Sequence, residues 1–193
     1  MSEAFREQKP QNNIENNGQA RHSSIESETL ADIKNHIGES FESEEIIMSS
    51  EKLKYFLEAT GDINRIHFDP EGAKSSVFSE DTSGKIVVPG FLTLSLCANK
   101  KVLYEALKIK EPNEIISLEL TSVKFLAPVA INTKVVYEYR LKSAKERTIK
   151  SRPSIITEWG IAVFASSDDN NHKRNLCMKA SWMVAYVAQQ EPK

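Results

Sequence analysis

The 193 residues carry 25 lysines and arginines against 27 acidic residues, a net charge of −2, with 40% hydrophobic and 27% charged side chains. That balance suits one ordinary domain with a tail and gives no electrostatic footprint for nucleic acid or an anionic membrane. The longest apolar run, 91–98, is broken by Thr93 and Ser95 and falls far short of the ~20 residues needed to span a bilayer.

The first residues lack the hydrophobic core of a secretion signal. Cys97 and Cys177 have neither metal-ligand nor redox spacing and sit in apolar segments, as expected of buried thiols in a reducing cytosol. A cytoplasmic location is therefore expected.

Residues 1–22 are rich in Gln, Asn, Glu and Arg and bury too little apolar surface to offset their ordering entropy, which predicts a disordered tail. A short helix is expected over 23–37, with Ser24 as cap and Ile25, Leu30, Ile33 and Ile37 loosely on one side, ended by Gly38. We therefore divide the chain into a polar tail, 1–36, and a globular domain, 37–190.

The domain opens with a strand over 40–48. Ser49 or Ser50 caps a helix in which Leu53, Phe56, Leu57 and Thr60 follow helical spacing, and Gly61 stops it. A loop over 62–69 leads to Pro70, which fits the first position of a short helix. Residues 79–85 form a polar surface loop. The segment 91–107 is expected to be the longest helix, apolar nearly all round in its first half and amphipathic in its second. Strands follow over 115–126, 134–141, 155–166 and 176–188, with period-two alternation clearest at Val135/Tyr137/Tyr139/Leu141, Ile155/Thr157/Trp159/Ile161/Val163 and Met178/Ala180/Trp182/Val184/Tyr186. One early buried helix followed by antiparallel strands predicts an α+β domain, a sheet wrapped on a central helix.

Three features carry chemistry. Asp62 and His67 lie five residues apart in a loop after a helix, where both side chains can turn into one cleft. A carboxylate that is ionised at neutral pH and an imidazole that titrates close to it together supply acid/base groups; alternatively, Asp62 caps a turn and His67 bonds locally. Gly90, after Pro89, opens a helix whose first N–H groups lack internal partners and carry the positive dipole end, a natural oxyanion donor; an ordinary Pro-Gly helix start reads the same. Thr93, Ser95 and Asn99 are polar on a helix suited to burial, either supporting the catalytic loop or bonding the preceding turn. His22, His36 and His172 lie in polar stretches and read as surface residues.

The stretch Tyr55-Phe56-Leu57-Glu58-Ala59-Thr60-Gly61-Asp62-Ile63-Asn64-Arg65-Ile66-His67-Phe68-Asp69-Pro70, followed by Ala73, resembles the hydratase motif of MaoC-like enzymes, the (R)-specific enoyl-thioester hydratases. Ile86 to Leu96 resembles the family's second signature, with Gly90 opening the central helix. The resemblance covers about residues 37–188. Arg65 stands where the family usually has proline, Pro89 where many members have histidine, and Ala98 where some have serine.

The resemblance implies a hot-dog fold, an antiparallel sheet curled around a long central helix, and a homodimer. It implies hydration of trans-2-enoyl thioesters, or dehydration of (R)-3-hydroxyacyl thioesters, carried on coenzyme A or acyl carrier protein, with no metal or redox cofactor. Asp62 and His67 would be catalytic; Gly90 would donate its N–H to the thioester oxygen, with Asn64 and Phe91 at the oxyanion and substrate site. The alternatives are a non-catalytic acyl-thioester-binding subunit, against which the intact Asp62/His67 pair argues, and a hot-dog thioesterase, which usually needs a carboxylate on the central helix; no Asp or Glu stands between Val88 and Asn99.

Overall fold

The computed structural model describes residues 21–22, 25–98, 107–109, 112–166 and 174–189. The strands are β1 (Arg21–His22), β2 (Ile25–Ser27), β3 (Ser40–Glu42), β4 (Ile46–Ile47), β5 (Leu107–Ile109), β6 (Pro112–Phe125), β7 (Lys134–Ile149), β8 (Arg152–Ser166) and β9 (Arg174–Ala188). The α-helices are α1 (Ser50–Thr60), α2 (Pro70–Lys74), α3 (Ser79–Thr82) and α4 (Gly90–Ser95). The main sheet runs β1-β3-β7-β8-β9-β6, with β4 also paired to β7. The long pairings β7–β8, β8–β9 and β9–β6 are all antiparallel.

The alternation read from the sequence decides which face of this sheet is buried. On β8, Ile155, Thr157, Trp159, Ile161 and Val163 are buried while their neighbours in sequence are mostly part-exposed, as period two requires. The four apolar ones join Tyr137, Tyr139, Met178, Trp182 and Tyr186, together with Leu92 and Cys97 from α4 and the turn after it, in one core.

Strand β7 also holds the helix by hydrogen bonds. Tyr137 Oη donates to the Thr93 carbonyl at 2.7 Å, and Tyr139 Oη to the Cys97 carbonyl at 2.8 Å. Both phenols are buried, and burial pushes their pKa values well above the ordinary tyrosine value. Tyr137→Phe leaves a buried carbonyl without this donor and is expected to lower stability by ~1–2 kcal/mol. Thermal unfolding at matched pH checks this; an unchanged midpoint would mean that the bond does not hold α4.

Several elements differ from the sequence reading. The helix expected over 91–107 is α4, continued by a 3-10 turn over Leu96–Ala98. Leu107 is already in β5, paired in parallel with β2, and residues 99–106, including Asn99, lie outside the described residues. The helix expected over 23–37 is β2 followed by a 3-10 helix, Ala31–His36. Buried Leu30 and Ile33 stand three apart, the 3-10 period, and the Asp32 carboxylate ties this helix back to the Thr29 N–H and hydroxyl.

The loop expected over 79–85 contains the single turn α3. The connection expected over 142–153 is mostly strand: β7 and β8 pair as far as Ile149↔Arg152, with Lys150 and Ser151 at φ 47° and 64°. Two consecutive positive φ values belong to a type I′ turn, whose twist matches the strands it joins. The tail expected over 1–22 falls outside the described residues except for Arg21–His22, which pairs in parallel with β3.

Candidate active site

Helix α1 ends where its sequence says it must. Ser49 Oγ accepts from Lys52 N at one end, and Gly61 at φ 67° closes the other, its N–H on the Leu57 carbonyl. The left-handed Gly61 turns the chain so that Asp62 begins a loop instead of another helical turn. Asp62 Oδ1 accepts the Asn64 N–H at 2.9 Å, a local turn typical of aspartate. A 3-10 turn, Arg65–His67, then brings the imidazole back inward.

His67 is buried, and its Nδ1 lies 2.6 Å from the Val87 carbonyl oxygen. A carbonyl only accepts, so neutral His67 carries its proton on Nδ1 and leaves the Nε2 lone pair open. Nε2 stands 3.8 Å from Asp62 Oδ2. That is too long for a direct hydrogen bond and leaves the two groups facing a shared space. Val87 also donates its N–H to the Ile66 carbonyl, so the turn that carries His67 and residues 86–88 are fastened at two points.

The other side of the turn is clamped by Arg65 and α2. Asp69 caps α2 through the Glu71 N–H and binds Arg65 Nε at 2.9 Å and Nη2 at 2.5 Å. Gly72 of α2 lies so close that a Cβ there would sit 2.9 Å from Arg65 Cβ. Arg65, standing where proline would stiffen the backbone, instead fixes the loop through a side chain.

The Arg65 hydrogen bond is the main cause holding the Asp69 carboxyl below its ordinary range. A depressed folded-state pKa stabilises the fold above the unfolded value, near pH ~4, and the benefit is lost as pH falls. Asp69→Asn keeps the cap but removes the charge. Its deficit in melting temperature is expected to be present at pH 7 and to shrink at pH 3; an equal deficit at both would rule the ion pair out as its source.

A cavity of about 320 Å³ opens beside His67. Gly90, Phe91, Thr93, Phe125 and Met178 are among the residues that line it. The Leu92 and Thr93 N–H groups both turn back to the Pro89 carbonyl, so the Gly90 and Phe91 N–H groups precede the first helical bonds, where donors lack intrahelical partners. The structure thus brings His67, Gly90 and Phe91 to one cavity, with Asp62 facing His67. Asn64 is exposed and contributes its backbone N–H to Asp62, while Ser95 bonds its own helix at the Leu92 carbonyl. The Val87 carbonyl and the Phe125 ring were not singled out from the sequence; a carbonyl's direction leaves no mark there, and Phe125 sits in an unexceptional apolar run.

This arrangement coincides with a recognised domain: the MaoC-like domain pattern matches residues 32–160. The chain belongs to the MaoC-like family. A 3-hydroxyacyl-thioester dehydratase Z of Mycobacterium tuberculosis is 31% identical over 109 residues, which are 56% of this chain and 68% of that protein. Among solved structures, the (R)-hydratase of A. caviae involved in PHA biosynthesis superimposes with a TM-score of 0.56 at 18% identity, over 77% of this chain and 94% of that one. A Mycobacterium tuberculosis protein with a double hot-dog fold matches with a TM-score of 0.53 at 18% identity, over 80% of this chain and 40% of that one. The fold of this MaoC-like chain is accordingly the hot dog, with the antiparallel sheet curled on α4.

Proposed function

We propose that this MaoC-like protein is a hydro-lyase that adds water reversibly to trans-2-enoyl thioesters, in reverse dehydrating (R)-3-hydroxyacyl thioesters, with Asp62 and His67 as its acid/base pair. The observation that carries the reading is the His67 ring, fixed by the Val87 carbonyl so that its open Nε2 faces Asp62 Oδ2 across 3.8 Å. A water held by both groups sits where a proton can be taken from it. The water oxygen bonds to C3 of the enoyl chain while C2 receives a proton. One of the two groups removes the proton from water and the other delivers one, so no net charge is consumed. As C2 becomes nucleophilic, negative charge builds on the thioester oxygen, to which the Gly90 N–H donates a hydrogen bond.

The apolar cavity suits an acyl chain, and dehydratase Z, named for acting on 3-hydroxyacyl thioesters, supports the substrate class. The carrier is coenzyme A or acyl carrier protein. Buried, unpaired Cys97 and Cys177, whose thiols burial pushes up to about 12 and about 11, are consistent with work in the reducing cytoplasm. Purified protein is expected to consume crotonyl-coenzyme A with loss of the enoyl absorbance. An unchanged spectrum with enoyl esters of every chain length tried would refute the reading.

The working form is proposed to be a homodimer. Among the described residues β6 is bonded only to β9, and it exposes Ile116, Leu118 and Leu120 along an open edge, the kind of edge that proteins pair or cover. Sedimentation at micromolar concentration is expected to give twice the chain mass; a stable monomer would contradict it.

A further inference from the structure

We infer that Phe125 is the specificity-determining wall of the acyl pocket and that residue 90 is glycine because this ring occupies the space of a side chain there; the inference rests on the reading of the cavity as the thioester site. Gly90 is not among the glycines with positive φ, so its backbone does not demand glycine. A Cβ built on it would instead lie 2.7, 2.8 and 3.0 Å from Cδ1, Cε1 and Cγ of Phe125. The same ring meets Phe91 edge-on, with centroids 5.7 Å apart at 62°. The start of α4 therefore rests directly on an aromatic ring of the edge strand.

The sequence arranges this with a bulge. Leu120 pairs with Trp182 and Phe125 with Met178. Trp182 and Met178 are four apart on β9 and share a face, so Leu120 and Phe125 share it too. In a regular strand, residues five apart point to opposite faces. The register shift between Thr121 and Lys124, with Ser122 at φ 53°, inserts the extra residue and re-aims Phe125 inward, a use of bulges common beside active sites.

Gly90, Phe91, Phe125 and Met178 all line the cavity. An acyl chain whose thioester oxygen reaches the Gly90 N–H must pass the Phe125 ring. That ring is half exposed, not locked in the core, so it can be trimmed without opening the fold. Trimming it makes room for further methylenes, each contributing about fourfold in affinity once buried.

The test measures affinities of butyryl-, octanoyl- and dodecanoyl-coenzyme A, which cannot be hydrated, by calorimetry on the full chain, its Phe125→Leu and Phe125→Ala variants, and Gly90→Ala in the parent and Phe125→Ala backgrounds. Preference for dodecanoyl over butyryl ester is expected to rise roughly tenfold in Phe125→Ala and less in Phe125→Leu. Gly90→Ala is expected to lower the melting temperature in the parent, and not to do so once the ring is gone. The proposal is overturned by a chain-length profile that neither variant moves, by a Gly90→Ala penalty that persists without the ring, or by a parent that binds none of the esters. A parent that binds them with the Phe125-dependent profile but turns over no enoyl ester contradicts the hydratase reading alone.

Discussion

Asp62→Asn and His67→Gln are each expected to lower kcat/KM for enoyl-thioester hydration by ~10²-fold or more while the protein stays folded. An asparagine in place of Asp62 keeps an oxygen for the Asn64 N–H, so the turn that Asp62 makes survives. What it loses is the charge and basicity facing His67 Nε2. A glutamine in place of His67 keeps a polar amide near the position of Nε2 but has no titratable nitrogen. Steady-state rates read beside melting curves separate chemistry from stability. Either variant retaining most of its activity would remove that residue from the acid/base pair.

Gly90→Pro has a comparably large expected effect, and it isolates the backbone donor. Gly90 is the first residue of α4 and follows Pro89 at ψ 132°. That is a first helical position, where proline is well accommodated and the missing N–H removes no helical bond. The steric obstacle is the Phe125 ring, so the comparison belongs in the Phe125→Ala background. There the proline is expected to leave stability nearly unchanged and to cost ~3–4 kcal/mol of transition-state stabilisation, as when an oxyanion donor is removed. Rates matching those of Phe125→Ala alone would show that the Gly90 N–H does not hold the developing charge.

Much of this molecule was legible in its sequence because local rules decided it. Ser49, Gly61 and Pro70 mark helix ends through capping chemistry that needs no tertiary context, and alternation on three strands gave the buried face of the sheet. The bounds of α4 were not legible. The apolar and amphipathic pattern over 91–107 continues past Ser95, whereas the chain tightens into a 3-10 turn at Leu96 and is already strand at Leu107. Leu30 and Ile33 fit α-helical and 3-10 spacing equally well over so short a stretch.

At the candidate site, Asp62, His67 and Gly90 could be picked out by residue type and spacing. What orients them could not. The Val87 carbonyl acts through its direction, Arg65 through a partner four residues on, and Phe125 through a bulge whose register is set by β9.

The most direct test is to incubate the parent with crotonyl-coenzyme A in deuterated water and analyse the ester that remains. The parent is expected to form an (R)-3-hydroxybutyryl ester carrying one deuterium at C2, a product lost together with enoyl consumption in His67→Gln. Release of free coenzyme A without hydration, or recovery of unchanged crotonyl ester bound to the protein, would contradict it.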